Sequence, residues 1–174
     1  MALDSRLIVL SVMALLGFAC SAPALTLVKD GQPASVIVLA QDSTASAKAG
    51  AEELQYHIKK MSGADLQVVT ADKVPSDAAT ALILIGRSAL TDKLGVDLST
   101  VPAEGYLIKT VGNALVLAGD DAGGEGKSAA DIMGGDVRGG SLFAVYGLLQ
   151  DHLGVRWIWP GPTGESIPKR ATIE

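Results

Sequence analysis

The sequence is short of several residues that chemistry commonly needs. It has one cysteine, Cys20, in 174 residues. No internal disulfide can form, and no zinc site built on several cysteines is possible. There are two histidines, His57 and His152, separated by 95 positions and in no H-x-x-x-H arrangement. Each falls late in an expected helix, where a surface imidazole sits favourably near the negative end of the dipole. Aromatic residues make up 4% of the chain, so Trp157 and Trp159, both within one short stretch, stand out. Basic residues are few and scattered, and the net charge of −5 argues against nucleic acid as a partner. No G-x-S-x-G elbow is present, and adjacent acids such as Glu52-Glu53 and Asp120-Asp121 read as solvated faces. No cofactor or metal site is expected.

What is present is a hydrophobic content of 48%, enough for a real core, in a length that suits one domain. The N-terminus has the plan of a secretory signal. Leu7–Ala19 is apolar apart from Ser11 and Gly17, and Ala22-Pro23-Ala24 offers a small-x-small cleavage site. The apolar run is shorter than the about 20 residues of a membrane span. We therefore expect a signal peptide over 1–24, a domain over 25–174, and export to the periplasm or the exterior. Ala19-Cys20 also permits a lipoprotein reading, with lipidated Cys20 as a membrane anchor, though Gly17 and Phe18 fit that pattern poorly.

The element order reads β β α β β (α) β β α β. Residues 25–29 and 34–40 form strands about the Asp30-Gly31 turn, suggesting a hairpin. Ala47, Ala51, Leu54, Ile58 and Met61 recur at helical spacing, with Gly63 as the stop. Strands follow over 66–70 and over 81–85, the latter wholly apolar and so expected inside the sheet. A short helix over 88–94 precedes a hairpin, 105–110 and 114–118, about Gly112-Asn113. A second amphipathic helix covers 141–153, and a last strand 155–159 would place Trp157 and Trp159 on one face. The fold class is α+β, a two-layer structure with a mixed sheet of about six to seven strands covered by two main helices.

The glycine-rich stretch 119–140 contains Gly126-Lys127-Ser128, the end of a phosphate-binding loop. The glycine that should open that motif is Asp121, and Asp120, Asp121 and Glu125 set like charge against phosphate. A G-x-G-x-x-A match at Gly124, Gly126 and Ala129 is displaced from the strand end and lacks a long helix behind it. No nucleotide is expected.

A more specific signal follows: GGSLFAVYGLLQDHLGVRWIWPGPTGESIPK from residue 139. Gly140, Ala144, Tyr146, Leu149, Leu153, Gly154, Arg156, Trp157, Pro160 and Gly161 match a pattern that resembles the end of the N-terminal domain of alpha-glucuronidases and related exported bacterial glycoside hydrolases, a beta-hexosaminidase-like domain. Ala51 to Gly63, Ile83 to Arg87, and Glu104-Gly105-Tyr106 through Gly119 are similar to earlier stretches of that domain. The long 120–138 connection departs from it and reads as an insertion. The resemblance implies an accessory, non-catalytic domain that packs on a catalytic barrel. That barrel would begin where this sequence stops, at Glu174, so a fragment is expected and no catalytic carboxylates carry over. Tentative sugar contacts are Trp157 and Trp159, by ring stacking, and Arg156, by pairing with a uronic acid carboxylate. The same residues read equally well as core or interdomain contacts, with Arg156 bonding backbone. The alternative function is a free-standing exported module that binds carbohydrate or protein.

Overall fold

The computed structural model describes residues 24–75, 80–122, 132 and 137–174. Residues 1–23, which include Cys20 and most of the stretch expected to be a signal peptide, and residues 123–131, which include Lys127 and Ser128, lie outside the described residues. Strands β1 (Val28–Lys29) and β2 (Gln32–Pro33) flank the Asp30-Gly31 turn, where both residues have positive φ. Next come β3 (Ser35–Leu39), α1 (Ala45–Ser62), β4 (Val68–Thr70), β5 (Ala81–Ile85) and α2 (Ala89–Lys93). The hairpin β6 (Tyr106–Val111) and β7 (Ala114–Gly119) leads to β8 (Asp121–Ala122) and β9 (Arg138–Gly139). Helix α3 (Gly140–Gly147), a π turn over Leu148–His152, and the short pair β10 (Arg156–Trp157) and β11 (Glu165–Ser166) complete the chain.

The fold is α+β, as the sequence pattern indicates. Its mixed sheet has five strands in the order β4-β3-β5-β7-β6, parallel except for β6 against β7. Two strands expected in that sheet stand outside it. Residues 25–29 do not pair with 34–40 as a long hairpin. The tight turn at Asp30 and Gly31 limits β1–β2 to two residue pairs, and β3 then enters the parallel sheet. The 155–159 strand is also shorter, only Arg156–Trp157, because Gly154 (φ +80°) turns the chain and bends follow Trp157.

Alternation along the strands sorts two apolar layers. Ile37, Ile83, Ile85, Leu115 and Leu117 face α1 and α3. Val36, Val38, Leu84 and Val116 face the opposite way, under Leu90, Leu94 and Leu98. The central strands are thus buried on both faces, which is why β5 is apolar throughout. Burying each large side chain such as Ile37 or Ile83 stabilises the fold by roughly 1.5–3 kcal/mol.

Helix α1 forms where its periodicity demands. Thr44 caps it by accepting from the Ala47 N–H at 3.1 Å, and Gly63, at φ +83°, ends it. Its predicted stripe, Ala47, Ala51, Leu54, Ile58 and Met61, is buried. The second amphipathic helix is regular only to Gly147. Leu153 N–H then reaches Leu148 O at 3.0 Å, a five-residue step. The two ends of the domain meet: Val28 and Ile173 form an antiparallel bridge, and Gly31 N–H donates to Ala171 O at 2.7 Å. No helix among the described residues is long and apolar enough to cross a membrane.

Candidate functional site

Two places in this fold concentrate chemistry. The first lies at the carboxyl ends of β3, β5 and β7. The crossover after β3 carries α1 on one face of the sheet, and the segment after β5 carries α2 on the other. The loops therefore diverge between β3 and β5 and leave a crevice, the usual ligand position in parallel sheets. It has a volume of about 640 Å³. Asp42, Ser43 and Thr44 come from the loop after β3, Arg87 and Ser88 from the loop after β5, Asp92 from α2, and Asp120 and Asp121 from just after β7.

Helix N-termini attract anions. Here the chain supplies its own. The Asp121 carboxylate accepts from Thr44 Oγ1 at 2.8 Å and from the Ser141 backbone N–H at 2.7 Å, which places it at the starts of α1 and α3 together. Asp120 accepts from the Glu104 N–H at 3.2 Å and pairs with Arg138 at 3.0 Å. Arg87 approaches Asp92 at 3.6 Å, with most of its side chain exposed. The glycines of this region serve backbone packing. A Cβ on Gly140 would lie 2.4 Å from Asp120 N, and one on Gly119 would lie 2.5 Å from Gly105 O. Only glycine lets these three segments approach so closely.

The second place is a ridge made by Trp157, Ile158 and Trp159, which are 37%, 66% and 55% exposed. Trp157 is held from beneath. Its ring meets His57 edge-on at 5.4 Å and Tyr146 at 5.3 Å. Trp159 instead stays within its own loop, its indole N–H directed at Thr163 Oγ1 at 3.4 Å. The two tryptophans thus have different supports, since the strand that would align them ends at Trp157. Arg156 donates from Nη1 to Gln150 O at 2.5 Å and Val155 O at 2.8 Å. Its guanidinium ties the ridge to the middle of the π turn.

His57 does not lie on the helix surface as expected. It is 1% exposed. A carbonyl can only accept, so its Nδ1 donates to Glu53 O at 2.8 Å, and buried Nε2 has no partner among the described residues. His152 is exposed. Around His57, burial pushes the Glu53 carboxyl above its ordinary value of 4.5, against the pull of the adjacent imidazole, and the Glu165 charge pushes it further. Tyr146 is pushed up to about 12 by burial and by the neighbouring Glu53. Tyr56 donates to Glu165 at 3.0 Å and is also approached by Lys60, which pins β11 to α1 beneath the ridge. No group of three metal-binding side chains occurs among the described residues.

No protein-family profile matches the chain, and no curated protein matches it.

Sequence reasoning singles out Arg156, Trp157 and Trp159, which the structure gathers on one ridge. It misses the crevice. Asp42, Ser43 and Ser88 follow strands β3 and β5 at helix-start positions, and that placement is the signal the sequence offers for it.

Proposed function

We propose that this chain is a non-catalytic accessory domain of an exported glycoside hydrolase of alpha-glucuronidase type, and that it docks on its catalytic barrel through the Trp157–Trp159 ridge. The observation that carries this reading is the run of three exposed apolar side chains, with Trp157 backed by buried His57 and half-buried Tyr146. Rigid aromatic side chains with one free face are what the cores of protein interfaces use. The motif resemblance over 139–161 supplies the kind of partner.

A second reading is a free-standing exported module that binds carbohydrate at the same ridge. The exposure of Trp159, whose ring face could stack on a sugar, favours it. In either case Arg156 orients the ridge, since its Nη1 is engaged by backbone carbonyls.

Sedimentation of residues 25–174 separates the readings. The docking domain self-associates with rising concentration, and Trp157→Ala with Trp159→Ala abolishes this. A monomer whose tryptophan fluorescence responds to an oligosaccharide supports the module. Hydrolysis of a uronic acid glycoside or a hexosaminide by this chain alone overturns both.

A further inference from the structure

The crevice is about 20 Å along α1 from the ridge, reckoned from Thr44 to His57 at 1.5 Å per residue. We propose that it binds a neutral, polyhydroxylated ligand of mono- or disaccharide size. The proposal stands on the crevice and is independent of what the ridge contacts.

Three properties of the lining select that class. The first is position and volume. About 640 Å³ lies within the roughly 300–1,000 Å³ of small-molecule sites, and the crevice occupies the switch point of the sheet. The second is charge. Among the described residues of the lining, Asp42, Asp92, Asp120 and Asp121 face one cation, Arg87. Asp121 already occupies the starts of α1 and α3, where a phosphate or carboxylate ligand would gain most. An anion entering here would meet like charge and find its best donors taken. A chelated metal ion lacks a ligand triad among the described residues.

The third is the mixture in the lining. Leu98, Val101 and Ala40 are apolar, while Asp42, Arg87 and Ser88 bring acceptors, donors and a hydroxyl. Carboxylate and guanidinium forks pair with vicinal hydroxyls through two parallel hydrogen bonds. A sugar ring has that make-up, with a C–H face and a hydroxyl edge.

The test is an amide-resolved NMR titration of the full chain with xylose, glucose, galactose and cellobiose, with glucuronate, inorganic phosphate and ethanolamine as parallel arms. We expect at least one neutral sugar to shift the amides of Ser43, Thr44, Ser88 and Gly119 with saturation. Glucuronate and phosphate should leave them unmoved. Asp42→Asn and Arg87→Gln, both at exposed positions, should each weaken binding at least tenfold, and Trp159→Ala should not. The proposal is overturned if no neutral sugar shifts these amides, or if phosphate or ethanolamine shifts them as strongly. Unchanged affinity in both crevice variants also overturns it. Sugar-induced shifts confined to 156–163 would overturn it too, while supporting the carbohydrate-binding reading of the ridge. Loss of self-association in the ridge variants tests docking without touching the crevice.

Discussion

The crevice and the ridge are opposite solutions to placing a surface feature on one small sheet. The crevice is polar, concave and assembled from three loops at the ends of parallel strands. Its carboxylates are largely spent on the fold: Asp121 joins two helix starts, and Asp120 holds Arg138 and the turn at Glu104. The ridge is apolar, convex and built from one continuous segment, propped by side chains of α1 and α3. Changes in the crevice should therefore propagate into folding. Changes on the ridge should be graded by how far each side chain reaches into its support.

The most severe way to break this contrast is Gly140→Ala. A Cβ there meets backbone on both sides, so β7 and α3 must separate. We expect a loss of at least about 3 kcal/mol in urea unfolding, or failure to fold. Retention of stability would show that the close approach is dispensable. Asp121→Ala should cost about 2 kcal/mol by orphaning the Thr44 hydroxyl and the Ser141 N–H. It should also let inorganic phosphate raise the melting temperature, an effect absent in the parent chain. A variant as stable as the parent and equally indifferent to phosphate would remove the internal-anion account.

On the ridge, Trp157→Ala should cost about 1.5 kcal/mol, because it uncovers His57 and Tyr146. Trp159→Ala should cost less than about 0.5 kcal/mol, as for surface positions generally. Equal losses would mean that the two rings share one support after all. The smallest effect concerns Glu53. Its folded pKa lies above the ordinary 4.5, so its contribution is full below 4.5 and is lost as pH rises through the raised value. Unfolding measured at pH 4.5 and pH 7 should show the parent losing ground to Glu53→Gln as pH rises. A change of the opposite sign would mean that the pull of the adjacent imidazole outweighs burial, and no change would place the carboxyl in water.

Much of this contrast is legible in the sequence, and the rest is not, for physical reasons. Helix α1 and strand β5 announce themselves because the residues that bury them repeat within the element. The acids beside the glycine loop are hostile to phosphate on sequence grounds alone, yet their positive role needs the fold. Asp121 and Thr44 are 77 residues apart. The burial of His57 is hidden for the same reason, since Trp157 arrives from 100 residues further on. The π turn after Gly147 keeps a helical apolar period, so nothing in Leu148, Leu149 and Leu153 betrays it. The crevice residues are ordinary polar loop residues one at a time. Only the strand order makes them neighbours.

The bridge between Val28 and Ile173 has a mechanical consequence. In that antiparallel contact the chain arrives at Leu27 and departs beyond Ile173 on the same side. A tension applied through both ends would load the Leu27–Ile173 hydrogen bond first and the Gly31–Ala171 bond afterwards. The bonds would break in succession, as a zipper opens, while the five-stranded sheet is still unstrained. Stretched between two anchors, this domain would give way at its seam before its core felt the load.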